Sequence, residues 1–138
     1  MDIHFLITAL HQVENAKREN REKVANIVFD NQELFQHLIT ITFKTDDKLS
    51  IRAAWILEWV CTHKDLNLII PHLDTFTENI SKLTYDSAIR PCAKICELIA
   101  KAYTSKKEHQ IKLHLTEIQI DCIVATGFDW LITPQKIA

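Results

Sequence analysis

Few residues in this chain stand at spacings that chemistry uses. In the stretch Ser50 to Cys61, SIRAAWILEWVC, the only charges are Arg52 and Glu58. A second run, SAIRPCAKICEL, carries Arg90, Lys94 and Glu97. Charges inside apolar stretches are rarely left unpaired. The plain reading is therefore structural: each arginine bonds the aspartate of its own or a neighbouring turn, Asp47 or Asp86, and holds helices in register. Trp55 and Trp59 are four apart and share a helix face. Core packing accounts for them, given the area each ring must bury; an exposed pair would anchor a partner. Trp130 reads as a wedge between the last two helices.

Metal and covalent chemistry find little support. There are seven histidines and four cysteines, but no HExxH and no CxxC. His4 and His11 are seven apart, as many surface pairs are. Cys92 and Cys96 are four apart, a spacing that can clip a metal but more often places two thiols side by side in a core. One glycine, Gly127, excludes a glycine-rich phosphate loop, and no nucleophile elbow is present. No cofactor is expected. A basic stretch, Lys101, Lys106, Lys107 and Lys112 with His109 and His114 among them, fits a solvated link between helices.

The elements that carry these residues follow from composition and period. At 138 residues, 47% apolar and 25% charged, the chain suits one globular domain, residues 1–138, with a real core. One glycine and three prolines are too few for hairpin turns, so the chain is expected to be all-α. Helices are expected over Asp2 to Glu14, Lys17 to Phe29, Gln32 to Phe43, Ser50 to His63, Leu66 to Leu83 and Ser87 to Tyr103. The Ser50–Cys61 stretch is apolar nearly all round, so it should be the central helix, covered on several sides. Ser105 to Glu108 matches a capping box. It should open a further helix with Ile111, Leu115, Ile118, Cys122 and Ala125 inward and Gly127 at its end or bend. Thr133 to Ala138 reads as the start of another helix, as in a longer chain cut short. The four cysteines sit in apolar stretches, as buried free thiols do, and no secretory signal or spanning segment is apparent; a reducing cytoplasm is expected.

The central pattern recurs. Arg52 and Arg90 are 38 positions apart, each behind an isoleucine. A period near forty built from helix pairs marks an α-solenoid. The turn aspartate followed by a basic residue early in the next helix, Asp47 to Arg52 and Asp86 to Arg90, resembles HEAT repeats, and Lys136 after Asp129 could hold that place in a third copy. RENREK, AAWILEW, IRPCAKICEL and FDWLI, in this order, resemble a family of short bacterial HEAT-like proteins of unassigned function, over nearly the whole chain. Such proteins sometimes carry the label adenylosuccinate lyase. Those lyases are several times longer, tetrameric, and have a loop resembling SSxMPxKxN, of which nothing is found here.

The resemblance implies a right-handed α-solenoid of antiparallel HEAT-like pairs, about seven helices with the last repeat incomplete. It also implies that the second helix of each pair lines a concave face. Arg52, Trp55, Glu58, Arg90, Lys94 and Glu97 would lie there and contact a protein, acidic in character, in a non-catalytic binding or scaffold role. The alternative is a nucleic-acid-binding protein of the HEAT-like DNA glycosylase kind. It needs a broadly basic groove, which a net charge of −2 disfavours. A last repeat without its neighbour also predicts self-association through the helix from Lys106 to Ala125.

Overall fold

The computed structural model describes residues 1–15 and 17–132. Among the described residues there are eight α-helices and no strand: α1 Ile3–His11, α2 Arg18–Asp30, α3 Phe35–Thr42, α4 Leu49–His63, α5 Leu73–Asn79, α6 Asp86–Thr104, α7 Gln110–His114 and α8 Glu117–Ile132. The expected Thr133–Ala138 helix start, and Lys136 with it, lie outside the described residues.

α4 is the central element, for the reason its composition suggests. Leu49, Ala53, Ala54, Ile56, Leu57, Trp59, Val60 and Cys61 are all buried. They point in several directions around the helix, so no single neighbour could cover them. α1, α2, α3 and α6 share the task, and α4 lies between α2 and α6. Small residues set the close approaches: Ala53 and Ala54 are fully buried in α4, and Ala88 nearly so in α6. The Asp47 carboxylate accepts from the Leu49 backbone N–H at 2.9 Å, fixing where α4 starts.

The two segments that precede α4 and α6 are joined directly. The Thr84 hydroxyl donates to the Thr45 carbonyl oxygen at 2.8 Å. Pro71 falls in a 3₁₀ segment, Leu66–His72, that leads into α5, so the single helix expected from Leu66 to Leu83 is divided. Pro has no N–H to give to a helical ladder, and α5 begins only after it, at Leu73. Pro91 lies inside α6, the sixth residue from its start and beyond the first turn, so its missing N–H leaves the helical ladder one bond short there.

The largest departure from the sequence expectation lies after α6. Ser105 does not open a capping box: its hydroxyl accepts from the Lys107 N–H at 3.2 Å, and the chain stays non-helical to His109. The ring of His109 then accepts from the Ile111 N–H at 3.1 Å and starts the short α7. The reciprocal box is Thr116–Gln119. The Thr116 N–H donates to Gln119 Oε1 at 2.9 Å, and the Gln119 N–H donates to Thr116 Oγ1 at 3.2 Å. Gly127 lies inside α8 rather than at its end.

Candidate protein-binding surface

The six residues expected on one face are not equivalent. Arg90, Lys94 and Glu97 are exposed, and with Lys101 they follow each other along α6 at spacings of four, three and four. That spacing lines up one helix face. Lys101 Nζ meets Glu97 Oε1 at 2.9 Å, with both side chains largely in water. Its hydrogen bond and charge, with Lys94 contributing, hold the Glu97 carboxyl below its usual value. The stripe so formed carries three positive charges and one negative.

On α4, Trp55 and Glu58 are half-buried. The Thr62 hydroxyl donates to Glu58 Oε2 at 3.2 Å. Trp55, Glu58 and Thr62 share the α4 face opposite the fully buried Ala53, Leu57 and Val60.

Arg52 is committed elsewhere. Its Nη1 donates to the carbonyl oxygens of His11, at 2.9 Å, and Leu10, at 3.3 Å. The guanidinium thus adds a donor to the last carbonyls of α1, of which that of Leu10 also accepts from the Val13 N–H at 3.1 Å. This charge sits favourably at the negative end of the helix. Arg52 is therefore structural, but its partners are backbone carbonyls; among the described residues, neither Arg52 nor Arg90 forms an ion pair with Asp47 or Asp86.

The two tryptophans of α4 part company. Trp59 is 5% exposed. Arg21 lies over its ring at 5.0 Å and Arg18 at 5.8 Å, both from α2, and the His63 ring is 4.0 Å away. The RENREK segment thus covers a ring whose face attracts cations. Trp130 is half-buried and packs against the core.

The thiols of Cys61, Cys92 and Cys96 are buried, and Cys122 is half-buried. Burial pushes all three core thiols up, Cys96 to about 12. A thiolate is the form that attacks and that binds metal, so these groups are held in the inert state. Among the described residues no cluster of three or more His, Cys, Asp or Glu stands ready for a metal ion. Of the basic stretch, Lys106 and Lys107 are exposed, Lys112 is half-buried and Lys101 is engaged with Glu97.

One surface was not legible as such. The expected inward stripe holds only in part: Ile111 is buried and Leu115 and Cys122 are half-buried, but Ile118 is 76% exposed and Ala125 is also exposed, while Gln119 and Thr126 are buried. The break at Leu115 and Thr116 resets the helical phase. The signal that would have located it, T-E-I-Q at Thr116 to Gln119, is a capping-box pattern in plain sight. Between α6 and α8 lies an apolar groove of about 280 Å³, lined chiefly by Ile99, Tyr103, Leu115, Ile120, Ile123 and Val124.

The chain matches no family model, no curated protein and no solved structure. Among the described residues, no helix is long and apolar enough to cross a membrane.

Proposed function

We propose that the protein is a non-catalytic binding module, a right-handed α-solenoid of HEAT-like pairs that receives a protein partner on the concave face that α4 and α6 line. The observation that carries this reading is the exposed α6 stripe of Arg90, Lys94, Glu97 and Lys101, on a helix that packs against α4 with its half-buried Trp55 and Glu58. A row of charges with a net positive balance suits an acidic segment, and an aromatic ring that retains accessible area suits an apolar anchor. The packing of α4 against both α2 and α6, and the Thr84–Thr45 bond between equivalent turns, support stacked repeats. Three buried thiols in their neutral form suit a reducing cytoplasm.

The test is a quantitative pull-down comparing wild type with an Arg90→Glu/Lys94→Glu variant, followed by titration of the captured partner. Both side chains are exposed, so equal helicity and melting are expected. A protein bound by wild type and lost by the folded variant supports the α4–α6 face. Identical capture by both removes that face from consideration. Enrichment of nucleic acid in place of protein would favour the nucleic-acid-binding alternative.

A further inference from the structure

Arg18 and Arg21 of α2 meet the same ring. The guanidinium carbon of Arg21 stands 5.0 Å from the Trp59 ring centroid, and that of Arg18 stands 5.8 Å away. The two arginines are three positions apart and share one face of α2, so the helix delivers both to the last turns of α4. The His63 ring lies 4.0 Å from the Trp59 ring. Lys64 closes α4 and holds its ammonium 5.8 Å from the Phe29 ring of α2. Three fixed cations and a histidine thus gather over two aromatic rings along the seam of α2 and α4.

No carboxylate balances them. Among the described residues, none of Arg18, Arg21, His63 and Lys64 is in an ion pair. Glu19 and Glu22, the acids of the same α2 turns, are exposed. Glu58 accepts from the Thr62 hydroxyl and Asp65 from the Asn67 N–H. The Arg21 Nε is buried without a hydrogen-bond partner among the described residues. Elsewhere the chain does better by its cations: Arg52 has two carbonyls and Lys101 has Glu97. As a mere cover for Trp59 the arrangement is costly. It sets two like charges beside one ring and buries a donor without an acceptor. An apolar side chain would cover the ring with neither penalty. Stacking does what an apolar cover cannot: it fixes the guanidinium planes and leaves their N–H edges to an outside acceptor.

We propose that the Arg18–Arg21 pair on Trp59 is a binding site for a phosphate monoester. That group carries three acceptor oxygens and close to two negative charges at neutral pH, enough to engage both guanidinium forks. A carboxylate has one charge and fills one fork. His63 and Lys64 deepen the positive field of the seam. The ester comes from a small phosphorylated metabolite or from a phosphorylated side chain; the recognised chemistry is the same. Arg90, Lys94 and Trp55 take no part in this site, so it and the α4–α6 face stand or fall separately.

The experiment titrates the 15N-labelled chain with inorganic phosphate at an ionic strength held constant with sodium chloride. The Trp59 indole and arginine Nε–H signals are followed by NMR. Saturable shifts at Trp59, Arg18 and Arg21 are expected, while Trp55 and Trp130 stay in place. Arg18→Gln changes an exposed side chain, so helicity should hold, and the dissociation constant should rise about tenfold or more with the loss of one fork. Glycerol phosphate and a short phosphoserine peptide, titrated in the same way, distinguish the sources. Tighter binding of the first assigns a small metabolite, and of the second a phosphorylated side chain. Shifts that sodium chloride or acetate reproduces at equal ionic strength overturn the proposal. So does a constant that Arg18→Gln leaves unchanged, and the arginines are then a cover for the ring and nothing more.

Discussion

Arg52 shows how much of a residue's role is set by what lies far from it in sequence. Its guanidinium closes two carbonyls at the end of α1, more than forty positions earlier. Arg52→Ala would leave those acceptors without that donor and remove a favourable charge from the helix end. Bonds to charged donors contribute about 1.5–3 kcal/mol each, less where water competes, and Arg52 is only half-buried. A loss of about 1–2 kcal/mol is expected, measured as a lower urea midpoint with an unchanged slope. Arg52→Lys should recover part of it, since an ammonium reaches one carbonyl where the guanidinium spans two. An unchanged midpoint in Arg52→Ala would mean that the α1 end is held by packing and by the backbone bonds of Gln12 and Val13 without help from Arg52. The sequence marked Arg52 as a charge needing a partner, and that was correct in kind. It could not supply Leu10 and His11, because carbonyl oxygens leave no trace in residue type. Trp59 is the converse case. Its burial was the expected outcome, yet the covering arginines, Arg18 and Arg21, stood in a run read only as charged.

At the scale of elements, α4 was the most legible, because an all-round apolar helix admits one location. α5 and α8 were the least. In α5 the proline divided what period alone joined. In α8 the inward stripe was assigned by continuing the phase of Ile111 and Leu115 through a helix break. Gln119 carries the test of that correction. Its side chain both caps α8 and bonds Asp74 of α5. Gln119→Ala removes both interactions at a buried position, and a loss of about 1–3 kcal/mol is expected. Gln119→Glu keeps an acceptor for the Thr116 N–H but sets a second carboxylate against Asp74. It should be the more harmful change at neutral pH and should recover as the pH falls and one carboxyl takes up a proton. Chemical denaturation of both variants at pH 7 and pH 4 checks this. If Gln119→Glu is as stable as wild type at pH 7, α8 does not dock on α5 through Asp74.

For the molecule as a whole, the thiols between α4 and α6 set the alkaline limit of stability. Burial raises the Cys96 thiol from its usual 9.0 to about 12, and Cys61 and Cys92 also rise. The unfolded chain therefore sheds these protons at a lower pH than the folded one. Below about pH 9 both states hold the proton and the contribution to stability is complete. Between pH 9 and 12 the folded state holds protons that the unfolded state has lost, so stability falls as pH rises. Urea midpoints should be flat through neutrality and decline above pH 9, and the decline should be shallower in a Cys96→Ala variant. Thiol labelling gives a second reading. Cys122, the half-buried one, should react first, and the other three should react only on unfolding. The all-helical class was legible from one glycine and a 3.6-residue period, since both are properties of the chain itself. The proposed binding face was legible only in part. Arg90, Lys94 and Glu97 stand out on α6, but exposure is decided by which neighbours a helix lacks, and the sequence does not state that.

Gly127 was expected to stop a helix and instead lies within one, in ordinary helical backbone without positive φ. A methyl group added there would meet nothing within 4 Å. Glycine in a helix interior forgoes about 0.5–1 kcal/mol relative to alanine, because the unfolded chain has more freedom to lose. Gly127→Ala should therefore raise the melting temperature by a few degrees in a scan at fixed protein concentration. The thermal tolerance of this fold thus has a one-carbon reserve at a position where no neighbour has to move.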